Sequence, residues 1–191
     1  YGFNNKTDTE VVMAAYDFWG EKCLEQFDGM FAFALYDRDK KELFCARDRF
    51  GEKPFHFYLD DQRFAFASEI KSLWSIGICK EVNQYFLYLF LNMDLHEDNM
   101  DKTKTFFKNI FRLKPGHYFI YKKGETLQQK KYWGLDTITT NRDISFEDAC
   151  EKFSELFYQS VNYRLRSDVA LGTSLSGGLD SSIVVGLMAR Q

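Results

Sequence analysis

The sequence predicts a layered α+β domain followed by the opening of an α/β unit, and three observations carry that prediction. Between residues 30 and 67, short apolar segments run almost without interruption between charged turns, the pattern of strands covered on both faces. A polar stretch, 134–143, then reads as a linker. Beyond it come a long amphipathic helix, a short apolar run and a Gly-Ser loop that opens another helix, the order of an α/β unit.

The elements follow from local signals. Thr7-Asp8-Thr9-Glu10 is a capping box, with Thr7 as N-cap and Glu10 three residues on. It predicts a helix through Tyr16 and Phe18 that ends at Gly20, with a shorter helical piece over 21–27. From Met30 the period changes to small and aromatic residues in alternation, bounded by a turn at Asp37–Lys40 and resumed over Glu42–Arg47, a hairpin. A second pair spans Pro54–Leu59 and Arg63–Ala67 around Asp60-Asp61. Ser68 is placed to cap a short helix through Trp74, and a further helix covers Glu81–Asn92. His117–Lys122 and Thr126–Trp133 predict another hairpin around Lys123-Gly124.

After the linker, Ser145 caps a long helix whose apolar stripe is Phe146, Ala149, Cys150, Phe153, Phe157 and Val161. Asp168–Leu175 is expected to be a strand, Ser176–Asp180 a loop, and Ser181 the opening of the last helix. One parallel strand cannot make a sheet, because parallel partners come only through further crossovers, so this second domain is expected to be truncated at Gln191.

Composition narrows the function classes. The chain has 191 residues, 45% hydrophobic and 28% charged, with 20 Phe and 11 Tyr, ample core material for a globular protein. Net charge is −3, and the densest basic spots, Lys122-Lys123 and Lys130-Lys131, flank a hairpin, so no basic stripe suits nucleic acid. The longest apolar run, Tyr85–Leu91, is too short to span a bilayer. Cys23, Cys45, Cys79 and Cys150 form no CxxC pair and no zinc-finger spacing with His56, His96 and His117. They are expected to be reduced, buried thiols in a cytoplasmic protein. The chain opens Tyr-Gly-Phe without an initiator Met or secretory signal, so a processed or cut start is expected.

The sharpest chemical feature is Leu175-Ser176-Gly177-Gly178-Leu179-Asp180-Ser181-Ser182. Two glycines at a strand-to-helix junction allow a tight turn and close backbone approach to a ligand. The helix N-terminus behind them presents unpaired N–H groups and partial positive charge, which suits phosphate. It is neither a Walker loop nor a GxGxxG turn. The plainer alternative is a helix-opening turn capped by Asp180 or Ser181.

Ser176–Ser182 resembles the pyrophosphate loop of the N-type ATP-pyrophosphatases, which adenylate an oxygen nucleophile and release pyrophosphate. Asp28–Asp37, Ala46–Pro54, Phe66–Leu73, Leu113–Tyr118 and Ser167–Val169 resemble, in the same order, segments of the asparagine synthases. That resemblance implies residues 1–133 as the later part of an N-terminal-nucleophile αββα glutaminase sandwich. Residues 134–144 would be a linker, and 145–191 the first β-loop-α unit of an adenine nucleotide α-hydrolase-like synthetase domain. It implies a glutamine-hydrolysing, ATP- and Mg²⁺-dependent conversion of aspartate to asparagine through an acyl-adenylate, in an enzyme that often pairs as a homodimer.

Residue by residue, Asp8 matches the family's glutamine-binding aspartate, with a first-turn acid favoured by the helix dipole as the plainer alternative. Leu175 matches the residue at the ATP nucleoside, and Ser176, Gly177, Gly178, Asp180, Ser181 and Ser182 match the pyrophosphate loop, Asp180 being the alternative metal ligand. Arg47, Asp48 and Glu69 sit in matching segments, where hydrogen-bonded scaffold is the plainer role. The family's N-terminal Cys nucleophile is not among the cysteines here, so the 191 residues alone are expected to complete neither half-reaction. The neighbouring alternatives are a β-lactam synthetase-like relative without a working glutaminase and a non-catalytic remnant used as a binding module. Against the remnant stands the intact loop, and against a nucleic-acid-modifying ligase the acidic balance.

Overall fold

The computed structural model describes residues 2–5, 7–98 and 100–190, which form two compact units divided between Ile138 and Thr139.

In the first unit, helix α1 (Asp8–Trp19) ends at Gly20, whose φ of 58° lies in the left-handed region that glycine tolerates. A 3₁₀ turn at Gly20–Lys22 leads into α2 (Cys23–Gln26). Strands β1 (Ala32–Asp37) and β2 (Glu42–Arg47) form the first hairpin, and β3 (His56–Leu59) and β4 (Phe64–Ala67) the second. Helices α3 (Ile70–Ser75) and α4 (Gln84–Met93) follow, then β5 (Ile110–Arg112), β6 (His117–Tyr121) and β7 (Lys130–Lys131). The strands form two antiparallel sheets, ordered β1-β2-β6-β7 and β4-β3-β5.

Side-chain alternation assembles these elements into four layers. Along β2, Phe44 and Ala46 face α1 and α2, where they meet Ala15, Tyr16, Cys23 and Leu24. Cys45 between them faces the other sheet and packs with Phe55, Phe57, Leu113 and Phe119. On the second sheet, Tyr58 and Ile110 turn outward onto Leu73 and Ile78, under α3. The order is helices, sheet, sheet, helix, so the central strands are apolar on both faces, as their near-continuous hydrophobic runs predict. Stacking of Tyr16 on Phe44, centroids 5.0 Å apart, joins the first two layers.

Several expectations are corrected. Thr7 makes no side-chain capping bond to α1, and Glu10 reaches past it to accept from the backbone N–H groups of Asn4 (2.8 Å) and Asn5 (2.6 Å). The chain before the helix folds back over its first turn, so that carboxylate is buried. Glu69, not Ser68, is the N-cap position of α3. The last hairpin keeps only a two-residue β7, and the Gln129 side chain just before it bonds instead to the segment ahead of β6. Its Oε1 accepts from Lys114 N–H (2.9 Å) and its Nε2 donates to Arg112 O (3.2 Å). Strand β5 has no counterpart in the sequence reading: three residues are too few to show a period, and they pair with β3, far away in the chain.

Two of the four cysteines are also corrected. Cys23 and Cys45 are buried, whereas Cys79 and Cys150 are exposed, the first in the charged turn after α3 and the second on α5 (Phe146–Arg164). Burial pushes the Cys23 thiol up to about 11 and raises that of Cys45 as well. An aromatic disulfide reagent at neutral pH is therefore expected to titrate Cys79 and Cys150 at once, and Cys23 and Cys45 only after unfolding. Four fast thiols would contradict this packing.

In the second unit, Ser145 caps α5 by accepting from Asp148 N–H (3.1 Å). Val161 is buried, but Phe146 and Phe153 of the expected stripe remain 78% and 67% exposed. Residues 168–175 form no strand. A strand is held by a paired neighbour, and among the described residues none pairs with this segment. Helix α6 (Leu179–Met188) closes the unit and begins two residues before Ser181.

Candidate functional sites

Asp8, the first residue of α1, borders a cavity of about 530 Å³. The walls come from α1, residues 30–36 leading into and along β1, Lys53-Pro54 and Ser68. Val12, Met13 and Phe31 supply apolar surface, while Asp8, Thr9, Lys53 and Ser68 bring one acid, one base and two hydroxyls to the same space. That balance suits a small zwitterionic molecule with an apolar stem. Lys53 and Ser68 carried no signal of a binding role in the sequence beyond lying in two matching segments.

The position of Lys53 depends on Arg47 and Asp48. Asp48 is only 1% exposed, and its carboxylate accepts from the N–H groups of Phe50 (3.1 Å), Glu52 (2.9 Å) and Lys53 (2.9 Å). Arg47 donates to the carbonyls of Lys53 (2.7 Å), Gly51 (2.5 Å) and Leu113 (2.8 Å). Gly51 sits at φ 69°, where an added Cβ would come 2.8 Å from Pro115 Cγ. Both charged residues thus act as scaffold that fixes the 48–54 loop. Glu69 is exposed and pairs with Lys71 (2.5 Å).

His56 and His117 hold Nδ1 against the carbonyls of Ser68 (2.9 Å) and Pro115 (2.7 Å). A carbonyl only accepts, so each Nδ1 carries the proton and donates. Burial is the main cause that lowers both imidazoles below their ordinary 6.5, with Arg112 and Arg47 adding to it at His56, and Lys114 and Lys131 at His117. Above the unfolded value both states are neutral and these groups contribute nothing to pH dependence. As pH falls below about 6.5 the unfolded chain takes up protons that the folded one refuses, so stability drops until the folded values are reached. Urea midpoints are expected to fall between about pH 6.5 and 5, before carboxylates titrate. The double substitution His56→Asn, His117→Asn should flatten that slope; an unchanged slope would assign it elsewhere.

In the second unit, the loop at the head of α6 gathers most of the sequence-predicted ATP residues. Gly177 adopts φ 83°, and no atom lies within 4 Å of where its Cβ would be, so a ligand can approach the backbone there. Gly178, not Asp180 or Ser181, is the N-cap position, and its carbonyl accepts from Ser181 Oγ (3.1 Å), Ser182 Oγ (2.8 Å) and Ser182 N–H (3.1 Å). Ser176 Oγ lies 2.9 Å from Ser181 Oγ and 3.4 Å from Gly178 N. Three hydroxyls and the first-turn N–H groups of a ten-residue helix therefore surround one open turn, a fit for phosphate oxygens. Leu175 and Asp180 are exposed beside it.

Among the described residues no cluster of three His, Cys, Asp or Glu forms a metal cage. Mg²⁺ is usually held by one or two carboxylates plus substrate phosphates, so the single carboxylate of Asp180 beside this open turn fits that kind of site. No helix among the described residues is long and apolar enough to cross a membrane.

Comparison with known proteins agrees with both units. Residues 1–133 match the glutamine amidotransferase domain model and residues 152–191 the asparagine synthase model. A Methanocaldococcus jannaschii protein provisionally named asparagine synthetase (glutamine-hydrolyzing) 2 is 36% identical over 95% of this chain and 35% of its own length. Asparagine synthetase (glutamine-hydrolyzing) 3 of Bacillus subtilis is 34% identical over 98% of the chain and 30% of its own length. Amidase chry2 of Gibberella zeae is 32% identical over 100% of the chain and 28% of its own length. The chain thus spans about a third of the length of the curated relatives it matches. With most of its length matched by one family model and its last residues by a second, the chain belongs to the glutamine amidotransferase domain family, in the branch that continues into an asparagine synthase domain.

Proposed function

We propose that the protein carrying this chain is a glutamine-hydrolysing asparagine synthase. The observation that carries the reading is the succession, in one chain, of an Asp8-bordered cavity in a four-layer sandwich and a Gly-Gly phosphate turn at the head of α6. In this reading residues 1–133 belong to an N-terminal-nucleophile glutaminase, 134–144 to a linker, and 145–191 to the opening of an ATP-pyrophosphatase domain. Glutamine, aspartate and ATP are its small-molecule partners, a homodimer its assembly, and the cytoplasm its compartment.

The chemistry divides between the units. The Asp8 carboxylate pairs with the α-ammonium of glutamine and orients the side-chain amide, while Lys53 and Ser68 complete the polar lining. The attacking thiolate is not one of the four cysteines present, since Cys23 and Cys45 are buried and protonated and neither Cys79 nor Cys150 lines this cavity. It belongs to an N-terminal cysteine outside these residues. At the second unit, a carboxylate oxygen of aspartate attacks the α-phosphorus of ATP and pyrophosphate leaves. Ammonia then attacks the acyl carbon and AMP leaves. Gly177, Gly178 and the hydroxyls of Ser176, Ser181 and Ser182 hold the pyrophosphate oxygens, with Leu175 against the nucleoside. Bound at Asp180, Mg²⁺ would neutralise phosphate charge as the bond to the α-phosphorus breaks.

The test follows AMP and asparagine made by the full-length protein from ATP, Mg²⁺ and aspartate, with glutamine or ammonia as nitrogen source. Asparagine from both sources is the expected result. Product from ammonia alone would mean a silent glutaminase half. No aspartate-dependent AMP would move the acceptor to another carboxylate, a reading that the similarity to an amidase favours. No AMP with any acceptor would leave a binding module.

A further inference from the structure

A second cavity, of about 590 Å³, lies within the first unit and takes no part in the reactions above. Arg49, Lys102, Lys114 and Lys131 line it and no carboxylate does, in a chain whose net charge is −3. Lys131 is paired with Asp136, and Arg49 lies 3.8 Å from Asp28. Among the described residues, neither Lys102 nor Lys114 makes a close ion pair, although Asp101 feels the charge of Lys114. After burial, Lys114 and Lys131 are what disfavour protonation of His117, a lining residue, as expected where positive potential is concentrated.

The walls are fixed rather than loose. Gly116 N–H donates to Asp48 O (2.8 Å), and the N–H groups of Tyr132 (2.9 Å) and Trp133 (3.2 Å) both donate to Gly116 O. Gly116 has φ 64°, and a Cβ there would come 2.4 Å from the Trp133 carbonyl oxygen, so the segments meet at a spacing only glycine permits. Upon this frame the Phe50 and Trp133 rings form an edge-to-face pair with centroids 5.0 Å apart, and Phe50 remains 63% exposed. The volume is that of a site for a small organic ligand, well beyond one phosphate ion. Four cations against a lining that holds no carboxylate leave room for an anion, and the aromatic pair calls for a flat ring.

We propose that this cavity binds a nucleoside phosphate, its phosphate on Lys102 and Lys114 and its base against Phe50 and Trp133. The site is separate from the turn at Ser176–Ser182 and does not depend on the asparagine synthase reading.

The test is photolabelling of the full-length protein with an azido-adenine nucleotide, followed by peptide mapping. Label is expected in the peptides holding Phe50 or Trp133, irrespective of any at residues 176–182. The double substitution Lys102→Glu, Lys114→Glu should reduce that label at least tenfold while label at 176–182 and the circular dichroism spectrum stay unchanged. The milder Lys102→Gln, Lys114→Gln pair should show the same loss in case charge reversal disturbs folding. AMP should compete at least tenfold better than adenosine or pyrophosphate. Label confined to 176–182, label indifferent to both double substitutions, or pyrophosphate competing as well as AMP would each overturn the proposal.

Discussion

Replacing Asp8 by Asn is expected to lower kcat/KM for glutamine by about 10²–10³-fold and leave ammonia-supported synthesis unchanged. The substitution keeps the shape of the side chain at the head of α1 and removes the charge that, in the proposed function, pairs with the substrate's ammonium. Loss of one partner of a charge pair that becomes desolvated in a complex costs about 2–5 kcal/mol, and each 1.4 kcal/mol is tenfold. The same carboxylate also sits in the first turn of a helix, where its interaction with the dipole stabilises by only about 0.3–1 kcal/mol. The two roles therefore separate cleanly. A purely structural Asp8 would shift the thermal midpoint slightly and leave both nitrogen sources equally effective, which would remove it from the glutamine site.

Asp48→Ala should be the most destabilising of the substitutions considered, at about 3–5 kcal/mol in a urea titration of the chain. Its carboxylate satisfies three backbone N–H groups at 2.9–3.1 Å while almost fully buried. Hydrogen bonds to a charged group contribute about 1.5–3 kcal/mol each, and donors left dry add their desolvation cost. Loops turn partly toward water when released, so the sum will not be reached. Arg47, in contact with three carbonyls of the same region, would then be a half-buried cation beside a loosened loop. A change below about 1 kcal/mol would show that the loop holds itself without this network. Since the loop carries Lys53 to one cavity and Phe50 to the other, glutamine turnover and nucleotide labelling should weaken together.

Much of the first unit was legible because its strands are short and its turns are charged. Met30–Tyr36 against Glu42–Arg47 states a hairpin in plain alternation, and the pairs Ala32↔Arg47 to Asp37↔Glu42 form it. The cover on both faces was legible from the apolar continuity of Leu43–Ala46 and Phe55–Leu59. Harder to read were partners that depend on distant chain. Thr105, whose hydroxyl donates to Ile110 O (2.7 Å), shapes the approach to β5, and nothing near Thr105 in sequence announces it. Glu10 looked like half of a capping box and became an anchor for Asn4 and Asn5, because a carboxylate bonds whichever N–H the folded chain brings to it. Gln129 likewise lies in a segment whose neighbourhood predicted a strand, and its side chain bonds to Arg112 and Lys114, ahead of the expected partner strand.

The sequence by itself determined the first two hairpins, most of the helices, the two-sided burial of the sheets and the residues of the Gly-Gly turn, since all of these rest on local period, turn chemistry and order along the chain. Only the tertiary structure decided which side chains share a cavity. Asp8, Lys53 and Ser68 are joined by the α1–β1 packing and a loop strapped to Asp48, Lys114 and Trp133 by the contacts of Gly116, and Lys102 by the Arg112 N–H that donates to Thr103 O. Residues 168–175 show the same limit from the other side. Their apolar run favours an extended chain, but a strand exists only where a second strand lies alongside to share its hydrogen bonds, and no local pattern can supply one.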